Sequence, residues 1–154
     1  MATYSLSRYK LSITYPDSLA AELSQNFGAN GSITIGGEGS YLESFSFSQT
    51  NNTWSVDGDN TGSYVFNKNL DRTGTAQLTL NQMSNQVIMF KNLAKYYYTN
   101  NLEEGLTLTL TKFDNDNEVI VTCTDCFITK IPDQQFQNEA QTQTWEFVVG
   151  IIDL

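Results

Sequence analysis

GTAQLTLNQMSNQVIMFKNLAKYYYTN, residues 74–100, changes its hydrophobic period once, and that change decides the fold. In the first part Ala76, Leu78 and Leu80 alternate with Thr75, Gln77 and Thr79, the two-residue repeat of a strand with one face on a core. In the second part Met83, Val87, Phe90, Ala94 and Tyr97 recur at spacings of four and three, the stripe of an amphipathic helix. Asn81 or Ser84 can cap that helix and Thr99-Asn100-Asn101 can stop it.

Outward from this stretch the period of two prevails. Leu106, Leu108 and Leu110 alternate with Thr107, Thr109 and Thr111; Tyr41, Phe45 and Phe47 alternate with Ser44, Ser46 and Ser48, with Glu43 breaking the apolar face. Trp145, Phe147, Val149 and Ile151 are expected to share a face of the last strand. Tyr9, Leu11, Ile13 and Tyr15 do the same in the first, whereas Tyr4 and Leu6 have the other parity, which predicts a bulge near Ser7 and Arg8. Pro16-Asp17-Ser18 can open a helical turn through Gln25, followed by a loop at Gly28 to Gly31; Ile33 to Gly36 is a further strand. Asp114 to Asn117 reads as a hairpin loop into Glu118 to Cys123, with Cys126 to Ile131 continuing that strand. The expected fold is mainly β: an antiparallel β-sandwich or barrel with one flanking α-helix, a single domain over 1–154.

Residues 50–74 are polar and contain two short strand-like pieces, Thr53 to Val56 and Ser63 to Asn67, around Asp57-Gly58-Asp59-Asn60. That is the chemistry of a tight hairpin, here a protruding arm. Trp54, Tyr64 and Phe66 on it are too few for a core of their own, so they pack either back on their own domain or on something else.

The strand faces opposite the core are polar but uncharged. A solvated sheet usually carries Lys and Glu there, which keep edges from pairing with other chains, so this pattern points to assembly; a monomeric sandwich with a Thr-rich exterior is the plain alternative. Eight Lys and Arg stand against seventeen Asp and Glu, a formal charge of −9, with a pI near 4.2. Without a basic stripe, affinity for nucleic acid or an anionic membrane is not expected. Met1 to Lys10 lacks the apolar centre of a signal peptide and no apolar run approaches the roughly 18 residues of a membrane helix, so a soluble, cytoplasmically made product is expected.

No catalytic constellation emerges. The chain has no histidine, which removes Ser-His-Asp and Cys-His chemistry and the commonest metal ligand. Cys123 and Cys126 have CxxC spacing, but a zinc site needs four ligands, so they read as packing residues. Asp57, Asp59 and Gly62 match the opening of a calcium loop whose twelfth position is Lys68 instead of Glu. Glu103 and Glu104 are adjacent, not opposed as glycoside hydrolysis requires, and Gly36-Gly37-Glu38-Gly39 lacks the Lys of a phosphate loop. The expectation is a non-enzyme with no cofactor and no metal.

The opening ATYSL (2–6), the GTAQLTL strand (74–80) running into a helix, the LTLTKFDNDNEVIVTCTDCFITKIP hairpin (108–132) and the terminal TQTWEFVVGIIDL strand (142–154) together resemble the tail-tube proteins of contractile-tailed bacteriophages. The resemblance implies hexameric rings that stack into a hollow tube lined by a shared inner β-barrel, inside a contractile sheath, assembled in the host cytoplasm and carried in the virion. It implies as partners other copies of this chain, the sheath, and baseplate and tail-terminator proteins, with DNA passing through the lumen without specific binding and no membrane contact. On it the arm corresponds to the hairpin that contacts the neighbouring ring, with Trp54, Tyr64, Phe66, Asp57 and Asp59 as contact candidates. Ser44, Ser46, Ser48, Thr75, Gln77 and Thr79 are the lumen-facing candidates. The inner tube of a phage-derived injection machine or type VI secretion system shares this fold and differs in cargo. A carbohydrate-binding sandwich, stacking sugars on Trp54 and the tyrosines, is the reading from a different class.

Overall fold

The alternating segments pair into one antiparallel sheet. The computed structural model describes residues 6–19, 21–23, 32–36, 42–84, 86–112 and 118–154. Among them lie β1 (Tyr9–Thr14), β2 (Ser32–Ile35), β3 (Leu42–Gln49), β4 (Trp54–Gly58), β5 (Tyr64–Lys68), β6 (Gly74–Asn81), helix α1 (Gln86–Asn100), β7 (Leu106–Lys112), β8 (Glu118–Ile128) and β9 (Thr142–Asp153). Seven strands run in the order β2-β1-β7-β8-β9-β6-β3, and β4 and β5 form a separate two-stranded sheet.

Seven strands about 4.8 Å apart are too wide for one helix of about 10–12 Å diameter to cover. Yet Ile33 and Ile35 on β2 at one end, and Leu78 and Leu80 on β6 toward the other, are all buried in a single cluster. The sheet therefore curls over a shared core, with α1 filling the remaining side. Trp145 on β9 sits at its centre, edge-on to Phe90 of α1 with centroids 5.6 Å apart, and Phe90 meets Phe147 at 6.3 Å.

The helix is bounded by local hydrogen bonds. Ser84 Oγ accepts from the Gln86 amide at 3.3 Å, and Asn81 Oδ1 accepts from the Met83 amide at 3.0 Å, so Ser84 is the cap and Asn81 makes the turn before it. At the other end Asn101 adopts φ 50° and the Leu102 amide reaches back to the Tyr97 carbonyl at 3.3 Å, a Schellman stop. The stripe differs from the sequence reading at two positions: Met83 lies in the turn before the helix and is exposed, and Leu93 is buried beside Phe90.

A kink moves the parity of the terminal strands. Cys123 and Cys126 are both buried while Thr124 and Asp125 between them are exposed, and on the paired strand Val149 and Ile152 are buried while Gly150 and Ile151 are exposed. Asp125 takes φ 57°, and that left-handed residue turns the next side chain back to the core. Ile151 therefore leaves the face it was expected to share with Trp145, Phe147 and Val149, and Ile152 replaces it. The kink presses on Gly105, where a Cβ would lie 2.6 Å from Asp125 Cα and 2.8 Å from the Cys126 nitrogen. Gly105→Ala is expected to cost about 1–3 kcal/mol, as forced shifts in a packed interior do. Asp125→Gly is expected to be neutral or stabilising, by up to about 1 kcal/mol, because it relieves the left-handed backbone. Urea midpoints at unchanged slope measure both.

Two smaller differences lie in the first and third strands. The parity break at Ser7 and Arg8 is a 3₁₀ turn, Leu6–Arg8, and not a bulge. A bulge does occur at Glu43, between the pairs Leu42–Leu80 and Ser44–Thr79, and it absorbs the charged residue that interrupts the alternation. β8 ends at Ile128, short of the expected Ile131. The expected start of the first strand before Leu6, the helical turn beyond Leu23, the loop at 28–31, Tyr41 and the hairpin loop at 114–117 lie outside the described residues.

Candidate assembly surfaces

The arm stands clear of the body: every residue of β4 and β5 is exposed. Its register pairs Trp54 with Lys68, Val56 with Phe66 and Gly58 with Tyr64. Period two then gathers Trp54, Val56, Tyr64 and Phe66 on one face, with Ser55, Asp57 and Asn67 on the other. The aromatic residues do not lie back on their own domain; Trp54, Tyr64 and Phe66 are 60, 66 and 63% exposed. Among the described residues their ring contacts stay within the arm, Tyr64 edge-on to Phe66 at 5.4 Å and Lys68 Nζ 5.5 Å over Trp54. A lone two-stranded hairpin with such a face is marginal in water, and a contiguous exposed apolar patch marks an interaction site.

Asp57 and Asp59 serve the arm itself. Asp57 Oδ2 accepts from Asn67 Nδ2 at 2.8 Å across the strand pair. The tight turn lies beyond Gly58, with φ 87° at Gly62, and Asp59 Oδ1 accepts from the Thr61 hydroxyl at 2.7 Å and the amides of Thr61 and Ser63. Strands flank this turn where a calcium loop needs helices. At the base Asp71 accepts from the Thr73 amide at 2.9 Å and from Asn51 Nδ2 at 2.7 Å.

Both carboxyls sit below the ordinary value of 3.8, Asp59 chiefly through the Thr61 hydroxyl and Asp71 chiefly through the Thr73 amide. A depressed folded pKa contributes stability that is present above the unfolded value and lost as pH falls through the folded one. Acidification below about pH 4 is therefore expected to loosen the arm at tip and base before the body, read as lower hydrogen-exchange protection factors over 51–73. Unchanged protection of those amides down to pH 2 would contradict it.

The second surface is the outer face of β3, β6 and β9. The register aligns Ser44 with Thr79 and Thr144, Ser46 with Gln77 and Glu146, and Ser48 with Thr75 and Val148. All six sequence-expected residues thus share one face, with Phe45, Phe47, Ala76 and Leu78 on the other. Thr144, Glu146 and Val148 were missed, although their parity against Trp145 and Phe147 marks them. Thr79 and Thr144 hydroxyls lie 3.1 Å apart, and Gln77 Nε2 donates to Glu146 Oε2 at 3.4 Å. These nine positions hold one carboxylate and no cation. Among the described residues β3 ends the sheet order, and in its sequence LESFSFSQ Glu43 is the lone charge, so this edge has little protection against pairing with another chain.

The family model of the bacteriophage PhiTE tail tube protein matches residues 1–154. The chain belongs to this phage tail tube family. As a tail tube protein it has a structural role, in keeping with the assembly pattern of its strands. Its fold is similar to a chain in the cryo-EM structure of the anti-feeding prophage baseplate, 6-fold symmetrised, at 10% identity and a TM-score of 0.57, covering 99% of this chain and 96% of that one. It is also similar to chains of the extracellular contractile injection system PVC, in its sheath/tube terminator (12% identity, TM-score 0.55, 99% and 96% covered) and its sheath-tube complex (12%, 0.53, 98% and 90%), both in the extended state. At these identities the likeness is one of fold. No curated protein matches the tail tube chain in sequence.

Proposed function

We propose that six copies close into a ring, that rings stack into the inner tube of a contractile phage tail, and that DNA passes through it on ejection. The reading is carried by the coincidence of the polar β3–β6–β9 face with a weakly protected edge at β3. Edge pairing between copies satisfies the free backbone groups of β3 and continues the sheet, which closure into a barrel turns into a channel wall. Ser44, Ser46, Ser48, Thr75, Gln77 and Thr79 line that channel, and with no cation among them and a subunit charge of −9 the wall does not hold phosphate. The arm reaches the next ring through Trp54, Tyr64 and Phe66. The relatives in sheath-tube and baseplate assemblies support sheath, baseplate and terminator proteins as partners, and a virion tail as the location. The subunit performs no catalysis.

Electron microscopy of the concentrated protein, alone and with baseplate components, tests this. Hollow tubes with six-fold end views are expected; persistence as 17.3 kDa monomers in both conditions would overturn it. The inner tube of an injection machine remains a second reading, favoured by the fold likeness to the PVC chains, and would form the same tubes around a different cargo. A glycan platform is less well served, because Tyr64 and Phe66 meet at 69° and offer no flat row for a sugar.

A further inference from the structure

The apolar face of the arm has a counterpart on the body that its own arm does not occupy. Between the C-terminal half of α1 and the end of β8 lies a groove of about 570 Å³, walled by Ala94, Tyr97, Tyr98, Leu102, Phe127 and Ile131, with Lys95 and Lys130 also lining it. Its walls are set in advance. Tyr97 packs edge-on to Phe127 at 5.9 Å and its hydroxyl donates to the Glu104 carbonyl at 2.9 Å. Burial and the Glu104 charge push that hydroxyl up to about 12, so it remains a donor at neutral pH.

We propose that this groove receives the arm of a second copy of the chain. The inference deepens the reading of the arm as the inter-ring contact and rests on it. The volume falls in the roughly 300–1,000 Å³ range of mostly apolar sites that hold a drug-sized ligand, room for the leading rings of a hairpin and not for the whole arm. The charges match as well. Two of the eight basic residues of an acidic chain stand at this groove, while Asp59 lies in the turn at the arm tip and Lys68 stands over Trp54 at the other end of the arm. Complementary charge of this kind fixes orientation, and a preformed apolar wall lowers the ordering cost of binding. Tyr64 and Phe66, the rings nearest the tip, lose their exposed area in the same contact that covers Tyr98.

Photo-crosslinking in assembled tubes tests the proposal. A benzophenone amino acid at position 66, or at 64 if that label blocks assembly, is carried by full-length protein mixed from isotope-labelled and unlabelled copies, and the crosslinked peptides are sequenced. Mixed-isotope crosslinks from the arm to residues 94–102 or 127–131 are expected. Crosslinks to other parts of a second copy, or to sheath protein in whole tails, would overturn the groove while leaving the arm as an assembly contact in the first case. Crosslinks confined to single chains would overturn the arm reading too. A companion variant, Tyr98→Asp, changes a side chain that is 87% exposed, so the fold is kept. It is expected to raise the critical concentration for tubes at least about tenfold, as loss of an aromatic hot spot does; an unchanged critical concentration would overturn the proposal.

Discussion

Trp54→Ala combined with Phe66→Ala gives a folded monomer that no longer forms tubes. Both side chains are exposed and, among the described residues, their ring contacts stay within the arm, so removing them costs the body within about 0.5 kcal/mol, as exposed substitutions generally do. At an interface the same two residues are of the type that forms hot spots, where truncation costs about 2 kcal/mol or more each. Together that is roughly a thousandfold in each ring-to-ring contact, enough to bring a cooperative assembly below its threshold at ordinary concentrations. Sedimentation and electron microscopy read the loss, with circular dichroism showing an unchanged melt. Tubes forming at the parent's concentration would remove the arm from the assembly mechanism.

Trp145→Ala is expected to cost about 3–5 kcal/mol, a large share of the roughly 5–15 kcal/mol of stability a domain commonly has. The residue is fully buried, pairs with Leu78 across β6, and supplies the ring against which Phe90 anchors the helix. The surrounding strands are fixed by ladder hydrogen bonds and collapse little into the space left. Trp145→Phe keeps an aromatic contact with Phe90 and is expected to cost less than half as much. Urea denaturation of the unassembled protein measures both, since assembly would add its own stabilisation. Equal losses in the two variants would mean that volume at this position does not hold the helix to the sheet.

The parts of the fold that follow from one local period were legible. Ala76, Leu78 and Leu80 go in and Thr75, Gln77 and Thr79 go out, as the alternation says, and the polar face of β3 lines up with them. The arm was legible from its turn chemistry and flanking short strands, although its tight turn lies beyond Gly58. What escaped was parity set by tertiary contact. Two-residue counting assumes an unbroken strand, and the left-handed Asp125, pressed on Gly105 of a neighbouring segment, breaks β8 and β9 together. This is why CxxC puts both thiols in the core and why Ile152, not Ile151, follows Val149 inward. The groove was invisible for a related reason: Ala94 and Tyr97 read as helix stripe, but Phe127 and Ile131 come from a segment more than twenty-five residues away in sequence.

Helical cryo-EM reconstruction of assembled tubes, at a resolution that shows side chains, tests the central claim most directly. The account predicts six copies per ring, the edge of β3 paired with a strand of the adjacent copy, and Ser44, Ser46, Ser48, Thr75, Gln77 and Thr79 facing the channel. A map in which that face points away from the channel, or in which β3 leaves its edge unpaired, would contradict it.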